Sequence, residues 1–98
     1  MPELKKYKMF IGGEWVDSDT KKTFETLNPE DNKPWAIVPE ASASDVDKAV
    51  KAAQKAFEAD WPKILPRERA KFLRAIGNKL RDNAELLGKI ETIDTGKL

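Results

Sequence analysis

The sequence contains no cysteine and no histidine. Without a thiol it has no cysteine nucleophile, and without either residue it cannot build an ordinary zinc site or a Ser-His-Asp triad. Self-contained catalysis would have to rest on lysine, carboxylates or the single Tyr7. The absence of cysteine leaves no disulfide framework and points to a reducing cytoplasm. Long apolar runs are also missing, so no segment reaches the eighteen or so residues of a membrane span. The opening MPELKKYKMF has lysines but no apolar stretch behind them, which excludes the pattern of a signal peptide. Charge of one sign is lacking as well: 18 Lys and Arg against 17 Asp and Glu leave +1. Nucleic acid and anionic membrane are therefore poor partners.

What is present suits one small water-facing α/β unit. The 98 residues are 40% hydrophobic and 36% charged, and three Trp, four Phe and one Tyr exceed what a disordered segment carries. The first half reads as strand and turn. Met9-Phe10-Ile11 and Glu14-Trp15-Val16 flank Gly12-Gly13, a two-residue hairpin signal in which both turn positions take positive φ. Thr23 to Leu27 alternates and stops at Asn28-Pro29, and Trp35 to Val38 forms another short strand closed by Pro39. Strands this short need something to lean on.

The second half is helical. Ser44-Asp45-Val46-Asp47 resembles a capping box, and Val46, Ala49, Val50, Ala53 and Phe57 follow at helical spacing. Trp61-Pro62 breaks the pattern, and a second helix opens near Pro66 with Ala70, Leu73, Ile76 and Leu80 as its stripe. Asn83 caps between it and a third helix carrying Leu86, Leu87, Ile90 and Ile93, which Gly96 stops.

Few residues here carry chemistry. Gly12-Gly13 lacks the further glycine and following helix of a dinucleotide loop, and Gly96-Lys97-Leu98 is no Walker motif. Glu91 and Asp94 share a helix face and could pair on a cation, although a solvated face beside Lys89 and Lys97 is the commoner outcome. Arg67, Arg69, Lys71 and Arg74 alternate with acids and read as an exposed helix face. Trp15, Trp35 and Trp61 lie beside turns or strand ends, where anchoring strand to helix is the usual task.

The residue string goes further than its periodicities. Phe10-Ile11-Gly12-Gly13-Glu14-Trp15-Val16 resembles the opening hairpin of the aldehyde dehydrogenase superfamily. Phe24, three residues, then Asn28-Pro29 matches a step of that family. Val38-Pro39-Glu40-Ala41-Ser42, with Asp45 to Val50 and Ala52 to Phe57, is similar to its first helix and lead-in. Trp61, Pro66, Arg67, Arg69, Leu73 and Leu80 match its second helix. Glu85-Leu86 and Glu91 to Lys97 resemble the third, ending in Asp-x-Gly-Lys. In order and together these matches cover nearly all residues from 10 to 97.

The resemblance implies the N-terminal part of a cofactor-binding domain: an arm over 1–9, hairpin and strands over 10–40, and helices over 44–96, packing on a nucleotide-binding sheet absent from these residues. It implies a parent, a homodimer or homotetramer, that oxidises an aldehyde to a carboxylic acid with NAD or NADP. A cysteine thiolate would form a thiohemiacetal, hydride would leave to the nicotinamide, and a glutamate-activated water would release the acid from the thioester. Those residues lie downstream in family order, so no catalytic or cofactor-binding residue is assigned within 1–98. The missing cysteine then fits a leading segment. The resemblance also implies a structural Na+ or K+ held by the backbone carbonyls of Thr26 and Leu27 and by the carboxylate of Asp94, with a further ligand from elsewhere; oxygen-only ligation suits such a hard ion. Leu98 departs from the proline usual after Gly-Lys. The chain alone is expected to be inactive, to bind NAD+ weakly at best and to be poorly stable without its covering sheet. The alternative is a stand-alone interaction module using exposed apolar helix faces.

Overall fold

A computed structural model describes residues 4–97. The first three residues of the arm and Leu98, with its departure from proline, lie outside the described residues. Five short strands precede three helices: β1 (Lys5–Lys6), β2 (Met9–Ile11), β3 (Glu14–Val16), β4 (Thr23–Asn28), β5 (Lys33–Pro39), α1 (Ala43–Glu58), α2 (Pro66–Asp82) and α3 (Ala84–Thr95).

The Gly12-Gly13 hairpin forms as its chemistry requires. Met9, Phe10 and Ile11 pair with Val16, Trp15 and Glu14, and the two glycines take φ of 61° and 83°. Side chains with a Cβ avoid that region, which is why glycine occupies both positions. The hairpin leans on α1, where Gly12 approaches Ala52, and Phe10 packs at a tilt of 58° against Trp15 with ring centroids 4.8 Å apart.

A separate sheet has the order β1-β5-β4. The β4–β5 turn is built from side-chain oxygens: Asn28 Oδ1 accepts from the Glu30 N–H and Asp31 Oδ1 from the Lys33 N–H. Asn32 closes the turn at φ 58°. The strand expected from Trp35 to Val38 runs longer, from Lys33 through Pro39, and includes Pro34. That proline is tolerated because it faces Leu27 just where the register shifts between Thr26 and Leu27. The arm contributes a strand that its composition did not signal. Lys5 and Lys6 run parallel to Ala36 and Ile37, and the Tyr7 N–H donates to the Ile37 carbonyl at 2.9 Å. Two lysines have little strand propensity, so the open edge of β5 decides their conformation.

The α1 start corrects the expected capping box. Its N-cap is Ser42 rather than Ser44. Ser42 Oγ accepts from the Asp45 N–H, and the Asp45 carboxylate accepts from the Ser42 N–H at 3.0 Å. Both serines have an acid three residues on, so local sequence cannot choose between them. The choice is made by Asp19, whose N–H donates to both Asp45 carboxylate oxygens at 3.2 and 3.3 Å. Asp47, the acid of the expected box, instead meets Lys51 in solvent.

A short 3-10 turn at Trp61–Lys63 leads to α2, which opens with Pro66 in its first turn as expected. Asn83 joins α2 to α3, but its side chain serves the end of α2 only, donating to the Lys79 carbonyl at 2.9 Å. Gly96 ends α3 at φ 75°.

The helices do not close over the sheets. Among the described residues Ala36 is the one fully buried hydrophobic side chain. Val50, Phe57, Leu73, Ile76 and Leu80 each expose more than half of their surface. The radius of gyration is 17.0 Å, against about 13 Å for a compact domain of this length. The apolar stripes are thus real, but they face outward.

Candidate functional site

Three of the residues singled out above, Thr26, Trp35 and Asp94, meet where α3 lies against β4 and β5. Asp94, in the last turn of α3, points its carboxylate at the sheet. Thr26 Oγ1 donates to Asp94 Oδ1 at 2.6 Å, and Trp35 Nε1 donates to the same oxygen at 3.2 Å. One anionic acceptor therefore fixes one helix to two strands. Hydrogen bonds to a charged acceptor are the stronger kind, and Asp94 is their common hub.

Around this hub, Tyr7 meets the Trp35 ring edge-on with centroids 6.4 Å apart, and Lys5 Nζ sits 5.2 Å over the Tyr7 ring. A largely apolar groove of about 550 Å³ runs between the sheet and α3, from Phe24 and Val38 to Leu87 and Ile90. Below Asp94 the chain turns closely: a Cβ added at Gly96 would stand 3.2 Å from Pro29 Cγ. The Asn28-Pro29 step and the Asp-x-Gly-Lys end, far apart in sequence, are packed together.

Of the three residues expected to hold an ion, Thr26 and Asp94 are in contact, through the threonine hydroxyl. Leu27 follows across the strand irregularity, 43% exposed, with no hydrogen bond to Asp94 among the described residues. Glu91 does not join Asp94. It accepts from Lys97 Nζ at 3.4 Å, and its backbone carbonyl accepts from Thr95 Oγ1. Among the described residues no group of three or more Asp, Glu, His or Cys side chains is arranged to hold a metal ion.

Trp35 anchors strand to helix as expected of it. Trp15 packs within its own hairpin, and Trp61 packs on Phe72 of α2 with centroids 5.8 Å apart. Of the expected exposed basic face on α2, Lys71 meets Glu68 at 3.5 Å in solvent, whereas Arg69 is half-buried and its Nε is enclosed without a hydrogen-bond partner among the described residues.

A second joint was not foreseen. Asp45, 4% exposed, ties the 17–22 loop to α1. The Ser42 N–H holds its carboxyl below the ordinary carboxylate range, with the Asp19 N–H and nearby Lys48 adding to the effect and burial opposing it. The sequence signal was present in the Ser42-x-x-Asp45 spacing, but the Asp19 contact spans 26 residues and leaves no local trace.

Two small sheets followed by three helices, with the end of α3 joined to β4 and β5 through Asp94, describe part of an α/β protein. Comparison with known proteins says which. The model of the aldehyde dehydrogenase family matches residues 15–98, and the chain belongs to that family. It is 45% identical over 89 residues to an aldehyde dehydrogenase of Aspergillus niger, covering 91% of this chain and 18% of that protein. The NAD-dependent aldehyde dehydrogenase of Sinorhizobium meliloti superposes with a TM-score of 0.92 at 34% identity, over 97% of this chain and 19% of that one. An NAD+ complex of a Bacillus cereus aldehyde dehydrogenase gives 0.88 at 40% identity, over 92% and 18%. The chain therefore spans about a fifth of the length of these relatives. Its fold is the corresponding part of the aldehyde dehydrogenase fold.

Proposed function

We propose that residues 1–98 are the leading part of the cofactor-binding domain of an NAD(P)-dependent aldehyde dehydrogenase, acting in it as scaffold. Residues 1–9 form its arm, 10–40 its hairpin and strands, and 44–96 its helices. The carrying observation is the family match over residues 15–98 by a chain that spans about a fifth of its relatives. The outward apolar stripes of α1 and α2 agree with it, since such faces are stable only when covered. The covering partner in this reading is the remainder of the same polypeptide.

The whole protein would convert an aldehyde, water and NAD(P)+ into a carboxylic acid, NAD(P)H and a proton. The NAD+ named with the solved relatives supports that cofactor. In this reading the nucleophile and the cofactor contacts come from other residues of the whole protein, a homo-oligomer by the resemblance, in the reducing cytoplasm to which the lack of cysteine points. The part played here is to hold strands and helices in register through Asp94 and Asp45.

The same reading extends to a Na+ or K+ at the carbonyls of Thr26 and Leu27 and the carboxylate of Asp94. One carboxylate with neutral oxygens suits a hard monovalent ion. Asp94 Oδ1 already takes two donors, which leaves Oδ2 for the ion and requires at least one ligand from outside these residues.

The test is to express the complete reading frame and the 98-residue chain side by side. Aldehyde-dependent NADH or NADPH formation is expected from the complete protein and none from the chain. Turnover by the pure chain would overturn the scaffold role. A reading frame that stops at Leu98 would favour the interaction module instead.

A further inference from the structure

Away from Asp94 the described residues form another concavity. It lies on the other side of the sheet, between β1 and the 17–22 loop, with a volume of about 520 Å³. Lys6, Lys8, Lys21 and Lys22 line it, with Asp17 as the single carboxylate on its wall. The protein as a whole is nearly neutral, so an excess of three positive charges in one cleft is a local concentration. Only Lys21 has an acidic partner, Asp17 at 3.8 Å in solvent; Lys6, Lys8 and Lys22 make no salt bridge among the described residues. The floor is apolar, from Tyr7, Ile37 and Pro39.

The lysines are gathered by the backbone rather than by chance of side-chain posture. β1 is fixed to β5 at Ala36 and Ile37. The loop is fixed at several points. The buried Ser18 donates to the Lys22 carbonyl at 3.1 Å, the Glu40 N–H donates to that carbonyl at 2.9 Å, and the Asp19 N–H is held by Asp45. Lys21 itself sits at φ 62°, a left-handed conformation that costs a residue with a Cβ roughly 1–2 kcal/mol. The fold therefore places a strained residue among four lysines. Such strain clusters where ligands are held, and bound negative charge would balance the local excess of positive charge.

We propose that this cleft binds a small multiply charged anion of the phosphate class. Ammonium groups on two separately anchored segments would clasp its oxygens, with Thr23 on the same wall. A cleft of this size suits a small molecule, and the nearly neutral protein lacks the broad one-sign surface that a lipid membrane or a nucleic-acid backbone would need. The site would be separate from the aldehyde chemistry, and the proposal rests on that reading only for the complete protein and the NAD+ used in its test.

The experiment uses the complete protein with NAD+ at saturation, so that a dinucleotide site is not the one measured. Inorganic pyrophosphate is titrated by calorimetry at low and at physiological salt. The variants are Lys6→Gln/Lys22→Gln, and Lys51→Gln/Lys89→Gln as a control of equal charge change elsewhere. The expected result is saturable binding that weakens roughly tenfold or more in the first variant and is unchanged in the second. A matching melting temperature of both variants shows that each is folded. If the first variant does not fold, Lys8→Gln with Lys21→Gln is read in the same way. Absence of binding by the intact protein, or equal losses in both variants, overturns the proposal.

Discussion

Thr26 Oγ1 donates a 2.6 Å hydrogen bond to Asp94 Oδ1 across 68 residues of sequence. Trp35 Nε1 adds a second bond to the same oxygen, so a strand pair and the end of α3 share one acceptor. That arrangement separates two roles for Asp94: acceptor for protein donors, and ligand for an ion.

Replacing Asp94 by alanine removes both bonds and is expected to cost the complete protein about 1–2 kcal/mol, read as a lower unfolding midpoint. Asp94→Asn keeps an oxygen acceptor and should recover most of that loss. The ion reading adds a salt signature: exchanging Na+ and K+ for choline should lower the wild-type midpoint and leave Asp94→Asn unmoved. A wild type indifferent to this exchange would remove the ion from the proposal.

The register of the α1 capping box gives a paired comparison. Ser42→Ala removes the oxygen that accepts from the Asp45 N–H and is expected to cost about 1 kcal/mol. Ser44→Ala lies inside the helix and should be neutral or slightly stabilising. Denaturant midpoints measured together decide it, and the reverse ranking would place the box at Ser44.

Acid should loosen the joint between the 17–22 loop and α1. The folded Asp45 carboxyl titrates below its ordinary 3.8 because the Ser42 N–H, and then the Asp19 N–H, stabilise its anion. Its stabilising contribution is therefore complete above that ordinary value and is lost as pH falls from there through the lowered folded value. Hydrogen exchange at the Asp19 amide, corrected for intrinsic rate, should lose protection over that acidic window in wild type. The change should be absent in Asp45→Asn. A profile shared by both proteins would assign the acid sensitivity elsewhere.

A glycine within α3 and the glycine that ends it should respond in opposite directions to alanine. Gly88 lies in the helix with open space at its Cβ position, so Gly88→Ala should stabilise by roughly 0.5–1 kcal/mol. Gly96 combines a φ of 75° with Pro29 Cγ 3.2 Å from an added Cβ, so Gly96→Ala should destabilise by more than about 1 kcal/mol. Thermal melts of the two variants suffice, and equal effects would contradict the close approach of Pro29.

Local chemistry made much of this chain legible. Gly12-Gly13 can turn a hairpin because neither has a Cβ, Pro66 can open a helix because its φ is already set, and Gly96 can end one. Helical spacing of Val46, Val50, Leu73, Ile76 and Leu80 fixed where the helices run and which stripe is apolar. The string of short matches from Phe10 to Lys97 pointed to the family that the comparisons then showed.

Tertiary structure decided what local sequence leaves degenerate. Ser42 and Ser44 offer the same box, and only the Asp19 amide, 26 residues from Asp45, breaks the tie. Lys5–Lys6 become a strand because β5 has a free edge, against their own propensity. Asp94 and Glu91 look alike on paper, yet one is drawn to Thr26 and Trp35 and the other to Lys97. The physical reason is common to all three. Turns and caps are closed by groups a few residues apart, which a sequence displays directly, whereas these choices depend on donors and edges that only folding brings within bonding distance.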